Sequence, residues 1–255
     1  MRSQLLWAVL AVAGAVAILA VCIVLGRQAA SELQGSDRYT VAFADIECAS
    51  PDSLSRADFL NEVQYLANLP DRLPRPDEAL AGKLAKAFAA HPFVAAVEHV
   101  EVLPQHVRVV LRFRTPVLAV ACGDSLRVVD GKGVLLPTSA PSTALPRLTG
   151  VEIPQSAGAA GKPRGDDRVA GAAQVAELVQ PWRDRFVIDS IVADGIDLTL
   201  IAGTKRIHWG NPPGKELKGE PDAATKARRL CELMERNPGG DGQFDLSRSP
   251  TAEKP

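Results

Sequence analysis

The side chains of this chain that could do chemistry are few and scattered. Its four histidines, His91, His99, His106 and His208, fall in no H-E-x-x-H or other compact metal-ligand spacing. His99 and His106 could approach one another across a hairpin, where solvent exposure or local bonding accounts for them. Cys22, Cys48, Cys122 and Cys231 lie far apart, with no C-x-x-C. Cys22 sits in a long apolar run, and the other three cannot all pair within one chain. They are expected to be buried small apolar side chains, with a single disulfide left open. The carboxylates of Asp166-Asp167 stand at a predicted helix start, where capping explains them better than acid-base catalysis. Asp241 and Asp245 are a second carboxylate pair, in a loop. Gly131-Lys132-Gly133 follows Asp130 and lacks the rest of a phosphate loop, so it is read as turn chemistry. No nucleophile elbow or dinucleotide fingerprint is present. The expectation is a protein that is not an enzyme and takes no metal or cofactor.

The elements that carry these residues begin with an apolar run. Leu5 to Leu25 is unbroken, with Arg2 before it and Arg27 after it. At the helical rise it is about 31 Å long, enough to cross a bilayer. A cleaved signal peptide is the alternative, but its apolar core is usually only about 7–15 residues. Gly26-Arg27-Gln28-Ala29-Ala30-Ser31 also makes a poor cleavage site. The expected plan is a cytoplasmic tail at 1–4, a transmembrane helix at 5–25 and a linker at 26–38. The charge bias across the span barely favours either orientation. The short tail and large following domain suit a signal anchor, with the bulk of the chain exported. A formal net charge of −1 gives no field to draw nucleic acid.

Beyond the linker, Tyr39 to Ile46 is rich in strand formers. A helix follows from Ser55, with Ser55 and Asp58 at capping-box spacing and Phe59, Val63, Leu66 and Ala67 on its apolar side. A connector with Pro70, Pro74 and Pro76 leads to a second helix opening at Asp77. Leu80, Leu84, Ala87 and Phe88 form its stripe, and His91-Pro92 stops it. A hairpin with a turn at Pro104-Gln105 comes next. Val107, Val109, Leu111 and Phe113 alternate with a basic face of Arg108, Arg112 and Arg114, read as a solvated outer face. Strand, helix, helix, strand, strand over 39–115 predicts two helices on a small three-stranded sheet.

From Pro116 the chain becomes β-rich. Val117–Ala121, Leu126–Val129 and Val134–Pro137 are short apolar runs, and Leu145–Leu148 is read as an edge segment. Ile153 to Asp167 is rich in Ala, Gly and Pro and reads as a loop. A third helix is expected from Asp167 to Trp182, with Val169, Ala172, Ala173, Ala176 and Val179 inward. Val187–Val192, Ile196–Ile201 and Lys205–Trp209 form a meander. A fourth helix spans Asp222 to Arg236, with Ala223, Ala227, Leu230 and Met234 inward and Lys226, Arg228 and Arg229 basic. Gln243 to Leu246 is a last short strand. The two domains are placed at 39–115 and 116–248, with a polar tail at 249–255. The fold class is therefore α+β.

Several of these pieces resemble the FtsQ/DivIB cell-division family, in the same order. The block Leu84…His91-Pro92-Phe93-Val94…Val97 looks like the end of the family's POTRA helix. Leu103-Pro104…Val107-Arg108-Val109…Arg114-Thr115-Pro116-Val117 is similar to its "P…L-x-I-x-V-x-E-R-x-P-V". Val128-Val129-Asp130-Gly131-Lys132-Gly133-Val134 resembles its "V-D-x-x-G-x-V", and Leu145-Pro146-Arg147-Leu148-Thr149-Gly150 its "L-P-x-L-x-G". Lys226 followed by Phe244-Asp245-Leu246 looks like its "K…I-D-L-R" end. The chain departs from that pattern at Arg114-Thr115 and in Ser247-Arg248 followed by Pro250. The resemblance implies a POTRA-like domain, a β domain and a single-pass scaffold in the bacterial inner membrane. It implies partners that are FtsB/FtsL-like bitopic proteins, added at Lys226, Arg229, Gln243, Phe244, Asp245, Leu246, Ser247 and Arg248. A POTRA-containing envelope protein for transport or outer-membrane assembly is the alternative, although neither POTRA repeats nor a barrel is visible.

Overall fold

The protein is represented by a computed structural model that describes residues 20–24, 40–74, 79–103, 106–153, 159–163, 165–237 and 240–248. The tail at 1–4, the linker at 26–38, the Pro104-Gln105 turn and the 249–255 tail lie outside the described residues, as does most of the span at 5–25. Residues 20–24 are helical. Among the described residues no helix is long and apolar enough to cross a membrane.

The fold is α+β and divides into two compact units. One is drawn from the chain up to Ser50, Arg56–Phe88 and Val97–Leu111. The other is drawn from Pro51–Ser55, Ala89–Ala96 and the chain from Arg112 onward.

In the first unit the expected strand at 39–46 is broken. β1 (Thr40–Ala42) gives way to a tight 3₁₀ turn at Phe43–Asp45. A continuous strand would send Phe43 and Ile46 to opposite faces. The turn buries both, at 1% and 0% exposure. It also hands the chain from one partner to another. β1 pairs antiparallel with β2 (Arg72–Pro74), a strand inside the proline-rich connector. Glu47 then bonds β4 (Val107–Phe113), its N–H to the Val107 carbonyl and its carbonyl to the Val109 N–H, each at 2.8 Å. Proline is tolerated in so short a strand because its missing N–H falls at the strand end.

α1 (Arg56–Ala67) buries Phe59, Leu60 and Val63, while Leu66, expected inward, stays half exposed at the rim of that face. α2 (Leu80–Ala89) buries Leu80, Leu84, Ala87 and Phe88, the stripe its periodicity predicts. Phe88 stacks on Phe43 at 6.2 Å and tilts against Phe59 at 5.9 Å. In place of the expected three-stranded sheet, the described residues form two two-stranded pairs, β1 with β2 and β3 (Val94–Val102) with β4, because the 3₁₀ turn passes the chain from one pair to the other. Val107 and Val109 are buried. Arg108, on the outer face, pairs with Glu47 at 3.1 Å.

The second unit is built on a seven-stranded mixed sheet in the order β11 (Gly242–Asp245), β10 (Lys205–Gly210), β9 (Asp197–Ala202), β8 (Ser190–Asp194), β7 (Arg147–Ile153), β5 (Pro116–Cys122), β6 (Ser125–Asp130). β5 (Pro116–Cys122) and β6 (Ser125–Asp130) form a hairpin. β7 (Arg147–Ile153) lies parallel to both β5 and β8 (Ser190–Asp194). The segment expected at an edge therefore starts a central strand. A parallel neighbour requires a crossover, and α3 (Asp167–Val179) supplies it between β7 and β8. Its N-cap is Asp166, whose carboxylate accepts the Arg168 N–H, and its expected end at Trp182 is a 3₁₀ turn. β8, β9 (Asp197–Ala202) and β10 (Lys205–Gly210) form the antiparallel meander. α4 (Ala223–Arg236) then crosses over to β11 (Gly242–Asp245), parallel to β10.

Both helices pack on one face of this sheet. Val169, Ala172, Ala173 and Ala176 of α3 and Ala227, Leu230 and Met234 of α4 share a core with Ile191, Leu198, Leu200, Ile207 and Trp209. A smaller cluster unites Phe93, Val128, Leu136 and Ala140, joined by Leu54, Phe113 and Leu145. His91, beside it in sequence, is 1% exposed, and its Nδ1 accepts the Phe93 N–H at 3.3 Å. Arg114, placed by its alternation on a solvated face, instead forms a buried pair with Asp130 at 2.7 Å. Asp130 also accepts the Lys132 and Val134 N–H groups, which fixes the Gly131-Lys132-Gly133 turn.

Candidate functional site

The two edges of the large sheet differ. β6 is covered over its second half, Val128–Asp130, by residues 134–136. The Asp130 N–H donates to the Val134 carbonyl at 3.0 Å, and the Leu136 N–H to the Val128 carbonyl at 2.8 Å. β11, at the opposite end, has β10 as its one strand neighbour among the described residues. An open edge of this kind offers unpaired backbone donors and acceptors to another chain.

The edge is positioned from both ends. Lys205, Arg206, Ile207 and His208 stand in register with Gly242, Gln243, Phe244 and Asp245. Thr204 Oγ1 bonds the Asp241 carboxylate before the strand. After it, the Leu246 N–H donates to the His208 carbonyl at 2.9 Å, and the Leu246 side chain is buried. Phe244 faces the helical side and packs against the core, whereas Gln243 and Asp245 point outward and are exposed.

The eight residues that the sequence groups at this site separate into distinct roles. Gln243, Phe244 and Asp245 form the edge. Leu246 anchors it. Ser247 donates to the Asp245 carboxylate through its N–H at 2.9 Å and its hydroxyl at 2.6 Å. Arg248 lies 3.3 Å from the other Asp245 oxygen. Arg229 donates to the Arg248 carbonyl at 3.0 Å, so α4 holds the segment after the strand.

Lys226 does not belong on this surface. Its side chain is fully buried, with Nζ 2.5 Å from Glu220 Oε1, 3.0 Å from the Asn211 carbonyl and 5.4 Å from the Trp209 ring centroid. A lysine on that face of α4 must be buried with the neighbouring Ala227 and Leu230, and it is stable there because its charge is paired. Glu220 completes the network by accepting the Asn211 and Leu217 N–H groups. Burial alone would raise the Glu220 carboxyl. The bonds from Lys226, Leu217 and Asn211 outweigh it and hold the group below the usual carboxylate range.

Sequence reasoning missed His208 and Asp197 as a pair. His208 Nε2 lies 3.6 Å from Asp197 Oδ2. The alternation of 205–209 puts His208 on the outer face, opposite Ile207 and Trp209, but no spacing in the sequence reveals its cross-strand neighbour. His208 borders two polar concavities. One, of about 510 Å³, is lined by Asp197, Asn211, Lys218, Ser247 and Arg248 among others. The other, of about 290 Å³, is lined by Thr199, Arg206, Gln243, Phe244 and Asp245.

Burial raises the Cys48 and Cys231 thiols, and Glu235 raises Cys231 further. Cys122 and Cys231 are buried, and none of the four cysteines is disulfide-bonded. Among the described residues no three His, Cys, Asp or Glu side chains converge to hold a metal. In comparisons with known proteins, no family model and no curated protein matches the chain.

Proposed function

We propose that this chain is a bitopic scaffold of the bacterial cell-division apparatus, similar to FtsQ/DivIB proteins. In this reading residues 5–25 anchor it in the inner membrane with the N-terminus in the cytoplasm. A POTRA-like unit and a β domain stand outside, and short FtsB/FtsL-like bitopic proteins dock on the β domain. The open edge of β11 carries the proposal. It ends a sheet whose other edge is covered over Val128–Asp130 by the chain's own 134–136 segment, and Leu246 and Arg229 hold the segment after it. A strand added there would gain main-chain hydrogen bonds from a preformed template, with Phe244 on one side and Gln243 and Asp245 on the other. The ordered sequence pieces shared with the family, behind one apolar run, support the same reading.

The test is affinity recovery of the detergent-solubilised full chain. Phe244→Lys is expected to cut recovery of a coiled-coil, single-span partner at least tenfold, beyond the loss of folded chain that its melting temperature reports, because Phe244 also packs against the core. Undiminished recovery would remove β11 as the docking edge. Depletion of the chain should give filaments or failed septa. Normal division with defective envelope assembly would overturn the scaffold reading.

A further inference from the structure

We propose that Asp197, His208 and Asp245 form a pH-dependent charge latch across β9, β10 and β11, which tightens the edge strand when His208 is protonated. The three residues share the outer face of the sheet. His208 Nε2 is 3.6 Å from the Asp197 carboxylate, and His208 stands directly opposite Asp245 in the β10–β11 register. Burial would raise the Asp245 carboxyl, but the Ser247 bonds and the charges of His208 and Arg248 hold it low, which keeps it ionised to receive an imidazolium.

The latch acts on a short edge element. β11 is four residues long and has one strand neighbour among the described residues. A neutral imidazole attracts neither carboxylate, whereas an imidazolium attracts both, and imidazoles change charge between about pH 5 and 8. The other groups facing His208 set the balance. Thr199 lies beside it on β9, Arg206 on its own strand, Gln243 on β11, and Lys218 and Arg248 around the larger concavity. Lys218, Arg206 and Arg248 oppose a further positive charge, and Asp197 and Asp245 favour it. Glu220 is already neutralised by Lys226. The latch therefore closes when the imidazole is charged and both carboxylates are ionised, and it opens when either charge is lost.

Its bearing on partner docking rests on β11 being the docking edge, but its own test needs no partner. Failure of the latch leaves the edge reading intact, and the converse also holds. Hydrogen–deuterium exchange of the full chain in detergent should be followed at pH 5.5 and 7.5, with times corrected for intrinsic exchange. Protection of the peptide spanning 242–248 should fall about threefold at the higher pH, the size expected of two partly exposed ion pairs. A peptide covering β8 should not change. His208→Gln should remove the pH dependence and leave the weaker protection at both values. Asp197→Asn should reduce it by about half. An unchanged response in His208→Gln, or equal protection at both pH values in the unaltered chain, would overturn the latch.

Discussion

Lys226 Nζ lies 2.5 Å from Glu220 Oε1, with the two side chains at 0% and 5% exposure. This pair ties α4 to the segment between β10 and α4, because Lys226 also donates to the Asn211 carbonyl and Glu220 accepts the Asn211 and Leu217 N–H groups. A residue that resembles a surface contact is thus part of the frame on which the β11 edge rests.

Removing one partner should be costly. Lys226→Ala leaves a buried carboxylate without its cation, and equilibrium denaturation should show a loss of about 3–4 kcal/mol. Lys226→Met combined with Glu220→Gln removes both charges and should recover at least half of it. Arg229→Ala gives up an exposed hydrogen bond to the Arg248 carbonyl and should cost no more than about 1 kcal/mol. Equal losses for Lys226→Ala and Arg229→Ala would contradict the buried role of Lys226.

The same pair sets an acid limit. The Glu220 carboxyl is lower in the fold than in the open chain, so the unfolded state binds its proton first. Its stabilisation is present above the unfolded carboxylate value near pH 4.3 and is lost as pH falls through the lower folded value. Urea midpoints between pH 6 and pH 2.5 should therefore drop steeply below about pH 4. Glu220→Gln should lower the midpoint at pH 6 and flatten the slope below pH 4. A slope as steep as that of the unaltered chain would place the acid sensitivity elsewhere.

Gly150 marks a close approach inside the sheet. It sits in β7 at φ +80°, and a Cβ there would meet the Ala193 carbonyl oxygen of β8 at 2.2 Å. Backbone cannot step aside as a side-chain tip can. Gly150→Ala should cost about 3 kcal/mol or more, from the left-handed conformation and the clash together. Gly195 has a similar φ of +61° in the β8–β9 turn with nothing within 4 Å, so Gly195→Ala should cost only about 1 kcal/mol. Thermal melts of the two variants would separate backbone strain from crowding.

Local signals in the chain were strong wherever one face of an element met one core. The stripe of Leu80, Leu84, Ala87 and Phe88, the alternation through Val107 and Val109, and the cap at Asp166 are all found as the periodicity and side-chain chemistry predict. The signals were weak wherever one residue's place depended on a distant one. The same alternation that places Arg108 outward places Arg114 outward, yet Arg114 is drawn inward by Asp130 from another strand. β2 is hidden in a proline-rich stretch because its pairing comes from β1, about thirty residues away.

The amino-acid sequence by itself determined the α+β class, the helices and most of their buried positions, most of the strands, the turn at Asp130-Gly131-Lys132-Gly133 and the terminal strand near Gln243–Leu246. Those features follow from periodicity and from side-chain bonding over a few residues. Only the tertiary structure decided which strands became edges. It moved the segment from Leu145 to Leu148 toward the centre of the sheet, covered the second half of β6 with 134–136 and left β11 open. It also took Lys226 out of the candidate site and put His208 between Asp197 and Asp245. Strand order and charge pairing are relations between residues far apart in the chain. Their free energy depends on which desolvated groups meet, and no local pattern records that meeting.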